Sequence, residues 1–332
     1  MNRSAYAAAG VDIEAGQQAV ALIREAVRST HTPQVLASVG AFGGLFDAAG
    51  LPEDAVLVAS TDGVGTKTVL ALAWGRVETI GHDIVNHCVN DILVHGAHPL
   101  FFLDYIASSR LDPQVVARIV DGVAAACRAV GCALLGGEMA EMPGVYAPGQ
   151  WDVVGTVVGM VRQQEMLPRD VAVGDVLLGL PASGPHTNGY TLIRRLFADL
   201  SPATRFEGVG ELREALLAPH RCYLHAVQRL RKAGVPIHGL AHITGGGLVD
   251  NLPRILPPGM VARLDYGAWP VPPLFRLIQE RGQVSTEEMY RVFNMGIGMV
   301  VVLPPEAAPQ AQEVLGEGSW VIGEVEKGSS GP

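Results

Sequence analysis

The chain has 332 residues, of which 48% are hydrophobic and 17% are charged, and its formal net charge is −9. This length exceeds what one hydrophobic core usually supports, so two domains are expected. The acidic balance, without any basic cluster, argues against a nucleic-acid-binding protein, and no uncharged apolar run is long enough to span a bilayer. The four cysteines form neither a CxxC pair nor a zinc-ligand spacing, and no signal-peptide pattern opens the chain. These features predict a soluble, cytoplasmic protein that contacts neither nucleic acid nor membrane.

The first predicted helix covers residues 13–27, with Asp12 as its N-cap. A glycine-rich segment, 37–46, follows it. This segment fits either a mobile flap over a ligand or a tight packing loop.

The segment 60–67, which reads STDGVGTK, follows an apolar run over 55–59 that predicts a strand. An acid, two glycines and a lysine in one turn suit a magnesium–nucleotide site, because a triphosphate must be neutralised from several sides. The residues that would serve such a site are Asp62, Gly63, Gly65, Thr66 and Lys67. The segment is neither a Walker A loop nor a dinucleotide fingerprint. A glycine-rich turn without a ligand is the alternative.

A helix is predicted over residues 80–96. Asp83, His87 and Asp91 are spaced by four and share one face of it, with Asn86 and Asn90 beside them. Asn and Asp are poor residues for a helix interior, so these side chains are expected to face a ligand. A solvated helix face is the alternative.

Strands are predicted over 99–107, 132–135 and 153–161, and a helix over 111–130. Asp104 is embedded in the first of these strands, where a carboxylate is costly unless it is paired or bound to metal. The second strand leads into the segment GGEMAEMPG, a predicted turn that carries Glu138 and Glu141. The charged stretch 162–174 predicts a domain boundary.

Two polar, glycine-rich turns mark the second half. A strand over 175–180 precedes SGPHTNGY (183–190) and a helix over 191–200, and HITGGG (242–247) precedes a helix over 250–255. Backbone N–H groups at such turns suit anion binding. The alternative is that each turn only provides a flexible start for the helix that follows it. The remaining predictions are helices at 212–233, 270–281, 286–293 and 307–315, and strands at 299–303 and 321–325.

Six segments, read together, resemble the phosphoribosylformylglycinamidine cyclo-ligase (aminoimidazole ribonucleotide synthetase) family. They are STDGVGTK, GHDIVNHCVNDILVHGAHPLFFLDYIA, GGEMAEMPGVY, SGPHTNGY, HITGGG and FNMGIGM, in that order along the chain. Each segment is weak alone, but the set is specific and covers nearly the whole chain. One departure is Met139, where a smaller polar residue is expected.

The resemblance implies ATP-dependent closure of formylglycinamidine ribonucleotide to 5-aminoimidazole ribonucleotide in purine biosynthesis, with release of ADP and phosphate. It implies an α/β protein of the α+β type with two domains. Residues 1–168 would form the N-terminal ATP-binding and dimerisation domain, and residues 169–332 the C-terminal α/β domain. The N-terminal domain would build a β-barrel with its copy in a homodimer, and the active site would lie in a cleft between domains. Mg²⁺ is implied as a cofactor, and K⁺ is a further cation that fits the family.

Residue roles follow from the resemblance as hypotheses. Lys67, Asp91 and His186 are the predicted catalytic residues. The predicted metal ligands are Asp62, Asp91 and Glu138, with Asp104 and Glu141 as second choices. The predicted ATP and phosphate contacts are Asp62, Gly63, Gly65, Thr66, Lys67, Asn90 and Glu138. The predicted substrate contacts are His186, Asn188, Gly245, Gly246 and Gly247.

Rival interpretations are another ATP-using enzyme of the same superfamily and a non-enzymatic nucleotide-binding subunit. A selenophosphate synthetase would carry a reactive cysteine in its N-terminal glycine-rich segment, whereas no cysteine here precedes Cys88. The retained acids and Lys67 argue against a regulatory subunit.

Overall fold

The computed structural model of the protein describes residues 13–37 and 40–328. The chain divides into two compact units, and both mix helices with strands, as predicted. Met1–Ile92 and His98–Arg162 belong to the N-terminal unit, and Leu93–Ala97 and Gln163–Pro332 to the C-terminal unit. Across the described residues, no helix is both long enough and apolar enough to cross a membrane. The predicted cap Asp12 lies outside the described residues.

The N-terminal unit is a four-stranded sheet with helices. Its elements are α1 (Ile13–Arg28), β1 (Ala55–Gly63), α2 (Lys67–Ala73), α3 (Glu78–Leu93), β2 (His98–Ser108), α4 (Pro113–Val130), β3 (Ala133–Glu141) and β4 (Trp151–Arg162). The strand order is β1-β4-β2-β3, with only the β2–β3 pair parallel.

One face of this sheet packs against α3. Buried and half-buried residues alternate along the whole of β4, as expected for a strand with one face in the core. Glycines let the helix come close, since a Cβ on Gly155 would lie 2.7 Å from the Ile84 side chain and one on Gly159 would lie 2.5 Å from that of Ile92. The sheet therefore fixes the helix that carries Asp83, His87 and Asp91.

Two predicted turns are wrong in extent. β1 continues through Gly63, because its backbone pairs with β4 as far as the Gly63–Val154 pair. β3 continues through the predicted turn GGEMAE to Glu141, because it pairs with β2 along that length. Tertiary pairing overrides the turn preference of glycine at both places.

The C-terminal unit is built around a five-stranded antiparallel sheet. The elements of this unit are β5 (Val176–Pro181), α5 (Tyr190–Leu196), β6 (Arg205–Phe206), β7 (Gly210–Glu211), α6 (Leu212–Leu216), α7 (Leu224–Lys232), β8 (Gly239–His242), α8 (Gly247–Asn251), β9 (Met260–Leu264), α9 (Pro273–Gly282), α10 (Thr286–Val292), β10 (Ile297–Leu303), α11 (Ala308–Leu315) and β11 (Trp320–Lys327). The strand order in the five-stranded sheet is β8-β10-β5-β11-β9. β10 is buried along its whole length, so it forms the centre of this core.

The single helix predicted over 212–233 is wrong. The structure has α6 and α7, separated by an irregular segment, 217–223. Pro219 accounts for the break, because proline lacks an N–H and disfavours helical backbone at the residue before it. This break places His220 in a loop rather than on a helix.

Candidate functional site

A carboxylate–histidine cluster lies where β1 ends beside α3. Nε2 of His87 is 2.8 Å from Oδ2 of Asp62 and 3.7 Å from Oδ2 of Asp91. The Ser60 hydroxyl donates to the same Asp91 oxygen at 3.2 Å. Burial lowers the pKa of His87, but the carboxylates of Asp62, Asp91 and Asp83 outweigh that effect, so the pKa lies above its ordinary value. The structure thus places two predicted metal ligands, Asp62 and Asp91, against the same His87 nitrogen, and their hard oxygens suit Mg²⁺.

The third predicted metal ligand, Glu138, lies on β3. Among the described residues, no group of three that gathers ligand atoms within 4.8 Å of one another includes Asp62 or Glu138. The Glu138 side chain is exposed and accepts a hydrogen bond from the Met139 N–H at 2.9 Å. Its role as a ligand stays a prediction.

Lys67 is fully buried at the start of α2. Its Nζ lies 2.8 Å from Oδ1 of Asp83, which is also fully buried. Burial lowers the pKa of Lys67, although Asp83 opposes this effect. In this conformation the ammonium group pairs α2 with α3 rather than facing solvent. The predicted contact with ATP phosphates would require this buried ammonium group to become accessible to the nucleotide.

The turn before Lys67 is open. Gly65 has φ +68°, and no heavy atom lies within 4 Å of the position that a Cβ would take there. Thr66 is exposed, whereas Asn90 on α3 is fully buried. Gly65 and Thr66 are therefore accessible to a ligand, and Asn90 belongs to the packed side of the helix.

Asp104 and Glu138 line a cavity of about 440 Å³ within the N-terminal unit. Its wall includes α1 and the glycine-rich residues 40–44. Burial raises the pKa of Asp104 to about 7. Glu141 instead accepts the backbone N–H of Leu111 at 3.1 Å, so one of its oxygens is already used in folding.

The two glycine-rich turns of the C-terminal unit meet each other. A Cβ on Gly245 would lie 3.4 Å from Oδ1 of Asn188, and Gly247 has no room for one, since the carbonyl oxygen of Tyr290 would be 1.9 Å away. His186 is fully buried with φ +58°, and its Nε2 accepts the Ser183 N–H at 3.2 Å. These predicted substrate contacts therefore lie in one region.

A residue that sequence reasoning missed joins this region. Nε2 of His220 is 2.9 Å from Nε2 of His242, and the His220 ring stacks on His186 with ring centres 3.9 Å apart. All three histidines are buried. Pro219 signals that the helix breaks here, but nothing in the spacing of the three histidines predicts that they meet.

The N-terminal half of the chain matches the model described as AIR synthase related protein, N-terminal domain, over residues 46–161. The C-terminal half matches AIR synthase related protein, C-terminal domain, over residues 172–331. A phosphoribosylformylglycinamidine cyclo-ligase of Geobacillus kaustophilus (strain HTA426) is 49% identical over 334 residues, covering 98% of this chain and 96% of the relative. The chain belongs to the phosphoribosylformylglycinamidine cyclo-ligase family. Another cyclo-ligase, from Synechococcus sp. (strain JA-2-3B'a(2-13)), is 48% identical over 96% of this chain and 93% of its own.

Solved structures share the fold of this cyclo-ligase family member. Thiamine-monophosphate kinase from Stenotrophomonas maltophilia K279a has a TM-score of 0.70 at 19% identity, covering 92% of this chain and 94% of its own. Hydrogenase maturation protein HypE in complex with ATP has a TM-score of 0.65 at 19% identity, covering 91% and 84%. The family identified from six segments is confirmed, and the mixed α/β, two-domain fold agrees with these structures.

Proposed function

We propose that the protein closes formylglycinamidine ribonucleotide to 5-aminoimidazole ribonucleotide at the expense of ATP, with release of ADP and phosphate. The observation that carries this proposal is the match to cyclo-ligases at 46–49% identity over nearly the whole chain. ATP as co-substrate is further supported by the structural relative whose structure contains ATP. As a purine-biosynthetic enzyme, the protein would act in the cytoplasm.

The chemistry has two steps. The formamide oxygen is a poor leaving group, and it attacks the γ-phosphorus of ATP, so that ADP departs and a phosphorylated amide remains. The amidine nitrogen then attacks the activated carbon, the carbon–oxygen bond breaks, and phosphate and a proton leave. The ring closure is intramolecular, and such reactions reach effective molarities of roughly 10⁵–10⁸ M. The protein's task is therefore to hold ATP, neutralise charge and exclude water from the activated amide.

In the N-terminal unit, Asp62 and Asp91 would hold Mg²⁺, with Glu138 as the third ligand. When bound, Mg²⁺ neutralises charge on the ATP phosphates. The open turn at Gly65 and Thr66, which follows Gly63 at the end of β1, would present backbone N–H groups to the phosphates. His87, which lies between the two aspartates, would fix their orientation.

In the C-terminal unit, His186, Asn188 and the glycines 245–247 would bind the ribonucleotide. The buried His186 imidazole is suited to polarising the amide, because a hydrogen bond in a water-poor site is stronger than one in solution. The backbone N–H groups of the glycine turn suit the ribose phosphate.

A homodimer is proposed through the sheet of the N-terminal unit. Leu57 on the edge strand β1 is 62% exposed. On β4, Val154, Val158 and Met160 share the face turned away from the packed core and are half-buried. An apolar sheet face of this kind is suited to pairing with a second copy, as in the barrel that the family resemblance implies. The domain roles, the cleft and a K⁺ requirement remain proposals from the same resemblance.

The test is ADP release by the purified protein with Mg-ATP, with and without formylglycinamidine ribonucleotide, while the aminoimidazole product is followed in parallel. We expect ADP and product to rise one for one, and only with the ribonucleotide present. ADP without aminoimidazole would indicate a kinase-like relative with another acceptor. ATP binding without either product would favour a regulatory nucleotide-binding protein.

A further inference from the structure

Three buried histidines from three separate segments form one cluster in the C-terminal unit. His186 comes from the turn after β5, His220 from the loop between α6 and α7, and His242 from the end of β8. His220 is central, since it contacts His242 through a 2.9 Å hydrogen bond between the Nε2 atoms and His186 through a ring stack of 3.9 Å.

The ring nitrogens of these histidines lie within 4.8 Å of one another, a spacing that a transition-metal ion can use. The ring orientations oppose that use. The planes of His186 and His220 are only 22° from parallel. A metal ion bonds a ring nitrogen in the plane of the ring, at about 2.0–2.1 Å. An ion held by His220 would therefore lie well outside the plane of His186. The arrangement is that of a stack with one hydrogen bond.

The loop that carries His220 is tied to the turn that carries His186. The Ser183 hydroxyl donates to the carbonyl of Pro219 at 2.6 Å, and the Tyr223 hydroxyl donates to the carbonyl of Pro181 at 2.9 Å. The cluster also packs on β10, because a Cβ on Gly298 would lie 2.1 Å from the Tyr223 hydroxyl and 2.5 Å from Cε1 of His186. His220 is therefore held on both sides, and it has little freedom to move.

We propose that His220 is a positioning residue that sets the ring orientation of His186 and couples its own tautomer to that of His242. This inference rests on the proposed function, in which His186 contacts the ribonucleotide. The stack fixes the plane of the His186 ring, and so the direction of its in-plane nitrogens. The hydrogen bond requires one of the two Nε2 atoms to carry the proton and the other to accept it, so the tautomers of His220 and His242 are coupled.

Two substitutions separate the two contacts. His220→Phe keeps a ring against His186 and removes the hydrogen bond to His242. His220→Gln keeps a hydrogen-bonding group towards His242 and removes the ring. Matched controls are His225→Phe and His225→Gln, because His225 is an exposed histidine on α7 whose side chain bonds Gln228.

The measurement combines imidazole NMR with steady-state kinetics on the full chain. In His220→Phe we expect the ¹⁵N shifts of His242 to change while His186 keeps its wild-type shifts. In His220→Gln we expect the reverse, with the ring protons of His186 losing the upfield shift caused by stacking. Because His186 is the residue that contacts the ribonucleotide, loss of the stack predicts that kcat/KM for the ribonucleotide falls up to about tenfold in His220→Gln and less in His220→Phe. KM for ATP should stay at the wild-type value, a split that general loss of folding would not produce.

Wild-type shifts for both histidines in both variants would overturn the proposal, as would kcat/KM values equal to those of the His225 controls. A wild-type protein that makes no aminoimidazole ribonucleotide would instead refute the proposed function. Normal turnover by the wild type with unaffected variants would refute only the role of His220.

Discussion

The buried Lys67–Asp83 pair allows a sharp test of what Lys67 does. Both side chains are fully buried, with Nζ and Oδ1 2.8 Å apart. Lys67→Met keeps the aliphatic bulk and leaves the Asp83 carboxylate without its cation. Removing one partner of a buried ion pair costs about 3–5 kcal/mol. For a unit of this size each kcal/mol lowers Tm by roughly 2–4 °C, so we expect a fall of about 6–20 °C.

The assay is a double-mutant cycle by urea denaturation, with Lys67→Met, Asp83→Leu and the double variant. Replacing a buried pair with apolar residues of similar size is often neutral, so the double variant should recover most of the lost free energy of unfolding. Additive losses, with a coupling below about 0.5 kcal/mol, would refute the assignment of a stabilising pair. The folded double variant then tests catalysis separately. If the folded double variant releases ADP only at the rate seen without enzyme, the predicted phosphate contact is supported. If it releases ADP at the wild-type rate, Lys67 has no part in the mechanism.

Three further predictions concern the N-terminal unit. Gly122→Ala should lower the free energy of unfolding by at least about 2 kcal/mol, since its Cβ would lie 2.1 Å from a backbone oxygen of α3. Gly16→Ala on α1 is the matched control, because no heavy atom lies within 4 Å of the position that its Cβ would take, and it should raise the free energy of unfolding by about 0.5–1 kcal/mol. Equal changes for Gly122→Ala and Gly16→Ala in urea denaturation would contradict the packing argument. Asp112→Ala should cost about 1 kcal/mol, measured the same way, because Asp112 caps two N–H groups in the first turn of α4. Leu57→Lys should shift the sedimentation coefficient from that of a dimer towards that of a monomer. The control Val261→Lys, at an exposed apolar residue of the C-terminal unit, should leave the sedimentation coefficient unchanged. A monomeric wild-type protein would refute the proposed dimer.

The elements that sequence reasoning predicted well are those with a strong local pattern. The strand predicted over 153–161 lies within β4, because a short apolar run rich in valine favours a strand. The helix predicted over 111–130 begins two residues later, at Pro113, after the capping Asp112. Local chemistry determines these boundaries.

The errors have non-local causes. Glycines at 136 and 137 predict a turn, yet they continue β3, because β2 lies alongside and a Cβ on Gly137 would clash with Asp104. The helix break at Pro219 is the exception, because the proline itself is a local signal. The contacts of His220 with His186 and His242 depend on how the loops pack on β10, and no spacing in the sequence predicts them. The sequence predicts that the acid and lysine of 60–67 serve one ligand site, and this stays a prediction; in the structure Lys67 contacts Asp83 and Asp62 contacts His87.

The crossing of α3 and α4 has a consequence for how this protein can evolve. At Gly81 a Cβ would lie 2.3 Å from the carbonyl oxygen of Ile119, and at Gly122 one would lie 2.1 Å from that of Glu78. The two helices therefore touch main chain to main chain, where no change of rotamer can absorb an added methyl group. Neither glycine can be replaced first and compensated later by its neighbour, because each substitution alone separates the helices. Selection on Gly81 and Gly122, which lie at the helix crossing, would therefore also preserve the position of the helix that carries His87 and Asp91.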